Sequence, residues 1–168
     1  MRHARLTQAE ACEICSWSYP VDYSWNTVAQ GSENRYYLEH EKMRHKDYYA
    51  LYDEYGLAGY YAINARIRKG YAALRLTLRP DMDNEVTAIQ YVIDQTRRDF
   101  PDCVYLNVSA YSDQPHAIAT YQLLGFENKG PVVASAHDMS SYEQEGFDVD
   151  HSGKPIKPVE LIILSLKL

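Results

Sequence analysis

The chain has 168 residues, with 17 Lys and Arg against 23 Asp and Glu and a formal net charge of −6. That length suits one domain that buries about two-thirds of its unfolded surface without staples, and the acidic balance repels phosphate backbones, which excludes nucleic acid as a general partner. With 46% hydrophobic and 24% charged residues, no apolar run as long as a membrane span and no apolar signal core at the start, residues 1–168 are expected to form a single soluble, cytoplasmic domain.

In chain order, a short strand is allowed before Thr7. Thr7 and Glu10 have the spacing of a capping box, in which hydroxyl and carboxylate each satisfy a backbone donor. A helix is therefore expected from residue 8 to about Trp17, closed by Pro20. Cys12 and Cys15 form a C-x-x-C inside it. With 3 cysteines in the chain, no second ligand pair nearby and no strand before the motif, they read as buried, reduced core residues rather than a metal or redox site. Residues 33–45, without Gly or Pro, predict a second helix.

Residues 47–68 contain two apolar runs broken at Glu54, Tyr55 and Gly56, the pattern of a β-hairpin. Gly70 separates a third strand over residues 71–78, which ends at Arg79 and Pro80. Asp83 or Asn84 caps the next helix; its Ile89, Val92, Ile93, Thr96 and Phe100 recur at helical spacing, and Pro101 stops it. Val104, Leu106, Val108 and Ala110 then alternate with Tyr105, Asn107 and Ser109, a strand expected to have strand neighbours on both sides. Ser112 or Asp113 caps a last helix that begins near Pro115 and stops at Gly125. Residues 126–136 and 159–168 predict two more strands around a polar loop at 137–158, the last apolar enough to be buried on both faces. The order predicts an α/β (α+β) domain, a central mixed and mostly antiparallel sheet with helices on both faces.

Candidate site residues are unevenly supported by pattern alone. The 16 Tyr, against 3 Phe and 2 Trp, fit either a polar pocket or a tyrosine-rich surface. Trp17, Tyr19, Tyr23 and Trp25 read either as an acceptor pocket whose rings suit a cationic amine or as a packing cluster at a helix end. His40 and His45 lack the spacing of zinc ligands, and the His137, Asp138, Asp148, Asp150 and His151 of the polar loop read as solvated, so no metal is expected.

One resemblance is carried by specific residues. The strand end Leu76-Thr77-Leu78-Arg79-Pro80-Asp81-Met82, a helix, a strand ending Val108-Ser109-Ala110, and then Ala117-Ile118-Ala119-Thr120-Tyr121-Gln122-Leu123-Leu124-Gly125-Phe126 resemble the GNAT superfamily of acyl-CoA-dependent N-acetyltransferases. The resemblance runs from about residue 5 to 130. It implies that acetyl-CoA is the co-substrate, lying in a cleft between the fourth and fifth strands. The backbone of Leu76, Thr77 and Leu78 would hold the pantetheine arm, residues Asp83, Asn84, Glu85, Val86, Thr87 and Ala88 would stand where the pyrophosphate loop does, and Ser112 would replace an Asn that meets the arm. Tyr121 takes the place of the residue that protonates the leaving thiolate; read without the resemblance, it is a tyrosine packed on the sheet.

The phosphate loop departs from the family pattern. Val86 stands at a glycine position, Asp83 and Glu85 reverse the usual charge, and no glycine occurs between Gly70 and Gly125, so no glycine cradle forms there. With Asp81, Asp83 and Glu85 set against Arg79, the dipole of a helix, about 0.3–1 kcal/mol at an exposed site, does not offset the like charges. Two functions follow: an N-acetyltransferase acting on a primary amine of a small molecule or protein N-terminus, or a non-catalytic GNAT-like binding or regulatory protein that has lost CoA. The residues name no general base, and a homodimer is left open.

Overall fold

A computed structural model describes residues 1–20, 25, 27–28, 32–44, 47–112, 114–132 and 161–168. The hairpin pattern becomes β2 (Tyr48–Asp53) and β3 (Gly56–Arg66), joined by the turn at Glu54 and Tyr55, with β1 (Arg2–Arg5) laid antiparallel on β2. Next comes β4 (Tyr71–Leu78), antiparallel to β3. A helix, α3 (Glu85–Asp99), then carries the chain across to β5 (Tyr105–Tyr111), which is parallel to β4. The remaining strands are β6 (Glu127–Val132) and β7 (Leu161–Lys167), and the 7-stranded sheet has the order β1-β2-β3-β4-β5-β7-β6. Its single parallel pair is the β4–β5 crossover, which needs a helix to make the connection.

The sheet carries a core on each face. Ala72, Leu74, Leu76 and Leu78 of β4 alternate inward against Ala88, Ile89, Val92 and Ile93 of α3, the face also covered by Ala117 and Tyr121 of α4 (Pro115–Leu123). On the other face Tyr48, Ala50, Tyr60 and Ala62 pack against Ala11 and Ile14 of α1 (Gln8–Ser16) and Leu38 of α2 (Glu33–Glu39). Adjacent residues Tyr60 and Tyr61 of β3 therefore serve opposite cores, each with exposure of 1% or less.

Most predicted elements are present, with corrections that have local causes. The Thr7–Glu10 capping box forms in full. The second helix is shorter than expected: it ends at Glu39, His40 leaves helical geometry, and a single 3-10 turn follows over Glu41–Met43. Of the C-x-x-C pair, Cys12 is exposed and Cys15 half-buried, because the helical period turns Ala11 and Ile14 inward. Asn84 is the cap of α3. The cap of α4 is Gln114 rather than Ser112, and the Gln114 side chain accepts from the Tyr111 N–H at 3.4 Å instead of capping the helix; Asp113 lies outside the described residues. Gly125 ends α4 with φ +89°, where a side chain would be strained. In β7 Leu164, Ser165 and Leu166 are buried, while 161–163 are only half-buried. The polar loop at 137–158 lies outside the described residues.

Candidate active site

The feature that organises the site is a gap in the sheet. The β4–β5 ladder runs from Tyr71↔Tyr105 to Leu74↔Val108 and stops, while β3 stays paired with β4 as far as Gly59↔Leu78 and β7 stays paired with β5 as far as Tyr111↔Leu161. The two parallel strands therefore part over their C-terminal halves. Thr77 C=O and Arg79 N–H point toward β3, so by alternation the peptide groups of Leu76 and Leu78 face the gap, past the last ladder pair. Backbone donors facing such a gap can polarise a carbonyl group placed in it. Gly59 makes the arrangement sterically feasible: a Cβ on it would lie 2.1 Å from the Thr77 carbonyl oxygen.

Trp25, Thr27 and Val28 lie at this opening. Trp25, 3% exposed, belongs to the core under α3 and α4, and Val28 belongs to the opposite core. Between them the Thr27 hydroxyl bonds the Thr77 hydroxyl and donates to Leu76 C=O at 3.3 Å. The Trp25 ring meets Tyr121 edge-on with centroids 5.4 Å apart, and Tyr121 meets Phe126 at 5.1 Å. Tyr121 is 3% exposed, and burial pushes its phenol well above the ordinary value, so it is fully protonated at neutral pH.

The aromatic acceptor group expected from the sequence is thus divided. Trp17 and Tyr19 pair edge-on at 6.5 Å beside the α1/α2 core, Trp25 sits in the other core against Tyr121, and Tyr23 lies outside the described residues. A helix end by itself does not fix the destination of a ring beyond it, and Trp25 goes to the core beside Tyr121.

The helix end of the cleft has different chemistry. Asn84 Oδ1 accepts from the Thr87 N–H at 3.3 Å and from the Thr87 hydroxyl at 2.7 Å, so this cap already uses one backbone donor at the start of α3. The Glu85 carboxylate pairs with His116 Nε2 at 2.6 Å, joining the first turns of α3 and α4, and the His116 ring lies 6.3 Å from Trp25. Arg79, read from the sequence as the lone cation there, is committed elsewhere: it donates to both oxygens of Asp53, at 3.4 and 3.0 Å, and to Asp81 at 2.6 Å. Burial opposes the Arg79 charge, but those two carboxylates outweigh it and hold the guanidinium above its ordinary value. Asp83 is exposed, Val86 half-buried, Thr87 exposed and Ala88 fully buried in the core, while Ser112 is exposed in the turn after β5. The Glu85–His116 pair was not legible in the sequence, because 31 residues separate its members.

Among the described residues no group of His, Cys, Asp and Glu is arranged to hold a metal ion, and no helix is long and apolar enough to cross a membrane.

No protein-family model and no curated protein matches the chain. Solved structures do. A ribosomal-protein-alanine N-acetyltransferase from Brucella melitensis is similar over 100% of both chains, with a TM-score of 0.63 and 15% identity. A spermidine N-acetyltransferase from Vibrio cholerae, in complex with CoA and spermine, is similar over 99% of this chain and 94% of its own, with a TM-score of 0.66 and 12% identity. A GNAT-family acetyltransferase from Bacillus anthracis is similar over 98% and 93%, with a TM-score of 0.63 and 7% identity. At these identities the likeness is one of fold, and the fold is that of the GNAT acetyltransferases.

Proposed function

We propose that this chain, which has the GNAT fold, is an N-acetyltransferase that moves an acetyl or other acyl group from acyl-CoA to a primary amine of a small molecule or a protein N-terminus. The observation that carries the reading is the parting of β4 from β5 after Leu74↔Val108 with the protonated Tyr121 phenol packed beside it. Backbone donors at Leu76 and Leu78 suit the thioester carbonyl; the amine nitrogen bonds to the acyl carbon as the C–S bond breaks, the Tyr121 hydroxyl gives its proton to the departing thiolate, and the proton shed by the nitrogen passes to water, from which the phenolate is reprotonated. The residues at the thioester end fit acyl-CoA. Those at the phosphate end do not form a cradle for it, because Glu85 and Arg79 are already engaged with His116, Asp53 and Asp81.

That second fact favours one other reading, a non-catalytic GNAT-like binding or regulatory protein without CoA. A titration separates the two. With acetyl-CoA at 100 times its dissociation constant the folded state gains about 2.7 kcal/mol, seen as a rise in melting temperature. No shift at millimolar acetyl-CoA or CoA defeats the enzyme reading. Given a shift, Tyr121→Phe should lower kcat about 100-fold or more while leaving the cofactor-induced shift in place, since proton transfer by a positioned group contributes about that much. Unchanged kcat removes Tyr121 from the mechanism.

A further inference from the structure

Cys12, exposed on α1, is one half of a thiol pair that the transfer chemistry does not use. Cys12 and Cys15 are both free, the second half-buried. Ala11 and Ile14 take the inward positions of the helix, so Gln8, Cys12 and Cys15, at i, i+4 and i+7, share a flank beside them. That flank faces α2. Gln8 Nε2 donates to Cys12 Sγ at 3.4 Å and to the Leu38 and Glu39 carbonyls of α2 at 3.2 and 3.4 Å, while Arg35 of α2 donates to the Cys15 carbonyl at 3.0 Å.

Helical geometry sets the separation of the pair. Residues three apart in an α-helix have Cα atoms about 5 Å apart, inside the roughly 4.4–6.8 Å that a disulfide spans. Their Cβ atoms stand about 5–6 Å apart, wider than the roughly 3.5–4.5 Å of a relaxed disulfide, so closing the bond draws in the last turn of α1 and leaves the bond strained. The two thiols are close enough for Cys12 to act electrostatically on Cys15. They are also unequal: burial pushes the Cys15 thiol up, with the Arg35 guanidinium opposing, whereas Cys12 is open to solvent. The third cysteine, Cys103, is 4% exposed, and burial raises its thiol too, which leaves it inert.

We propose that Cys12 and Cys15 form a reversible thiol–disulfide exchange site for small disulfides of the glutathione type, with Cys12 as the attacking and Cys15 as the resolving thiol. Cys12, as its thiolate, attacks one sulfur of the small disulfide; a mixed disulfide forms as the S–S bond of the reagent breaks, and one small thiolate leaves. Cys15 then gives up its proton and attacks the Cys12 sulfur, so that the Cys12–Cys15 bond forms and the second small thiolate departs. The protein dithiol is oxidised, the small disulfide is reduced to two small thiols, and these take up the protons that Cys12 and Cys15 lose. Strain makes the internal bond easy to reduce, so excess small thiol runs both steps backwards. The site uses no residue of the β4–β5 cleft and stands apart from the acetyltransferase reading.

The test incubates the full reduced chain with glutathione disulfide and follows its intact mass after acid quenching. The expected end state is a chain lighter by its two thiol hydrogens, with the bond mapped to Cys12–Cys15 by digestion and no adduct on Cys103. Cys15→Ser should stall with one glutathione on Cys12. Cys12→Ser should react at least about tenfold more slowly, since only the half-buried Cys15 thiol remains beside the buried Cys103. Excess reduced glutathione should return the dithiol. A wild-type chain that does not react, that stops at a stable mixed disulfide, or that keeps the internal bond in excess reduced glutathione overturns the proposal, as does undiminished reactivity of Cys12→Ser. The wild-type result stands without either variant, so a folding defect in Cys15→Ser leaves the test intact.

Discussion

The two ends of the cleft follow different rules. At the strand end, the parting of β4 and β5 is a property of backbone topology, and the donors of Leu76 and Leu78 would be present with almost any apolar side chains. At the helix end, the same topology delivers the first turn of α3, but what that turn can bind depends on side chains, and here Asn84 and Glu85 fill it from within. A fold can thus retain the part of a site built from backbone while the part built from side chains changes. The identities of 7–15% with other GNAT-fold proteins are what such a division allows.

The ends should also respond differently to pH. The strand end is dry and rich in phenols: Tyr60 and Tyr121 lie on its two faces and Tyr61 next along β3, all three nearly or fully buried, and burial raises each phenol above its ordinary value. The phenols ionise in the unfolded chain near pH 10 but stay protonated when folded, so the unfolded state binds fewer protons and stability falls as pH rises above 10. Each such tyrosine contributes a slope of up to about 1.4 kcal/mol per pH unit. Denaturant unfolding between pH 9 and 11 should show a steep loss that Tyr61→Phe reduces; a flat profile would mean that these phenols reach solvent.

A smaller effect tests the backbone side of the comparison. Gly59→Ala places a methyl group 2.1 Å from the Thr77 carbonyl at φ +156°, so β3 and β4 must separate beside the gap. The expected cost is about 1–3 kcal/mol in urea unfolding, accompanied by weaker acetyl-CoA binding. Full stability would show that the β4 register tolerates displacement. Smallest of all, Glu85→Gln removes one carboxylate from the start of α3 and should tighten acetyl-CoA binding a few-fold, about 0.3–1 kcal/mol, more at low salt than at high. Weaker binding in Glu85→Gln would mean instead that the Glu85–His116 pair helps to build the phosphate end.

Legibility from the sequence followed the range of the interactions. The Thr7–Glu10 box, the hairpin about Gly56, the stripe of α3 and the stop at Gly125 are local patterns, and the structure reproduces each. The cap of α4 is not a local matter: Ser112 and Gln114 both offer hydrogen-bonding side chains, and only the turn after β5 decides which residue stands at the helix start. Cys12 faces outward, against the sequence expectation, because α1 has a weak apolar stripe, which leaves the inward face to be chosen by Ala11, Ile14 and the strand beneath.

The sequence by itself determined the order of elements, the mixed sheet and the acidic, glycine-free start of α3, since periodicity, capping and composition act over a few residues. Only the tertiary structure decided where the described tyrosines go and which charges are spent. Tyr60 and Tyr61 part to opposite cores, Trp25 leaves Trp17 for Tyr121, Arg79 turns to Asp53, and Glu85 meets His116. Those outcomes depend on which strands and helix ends are brought side by side across tens of residues, and a linear pattern carries no record of that proximity.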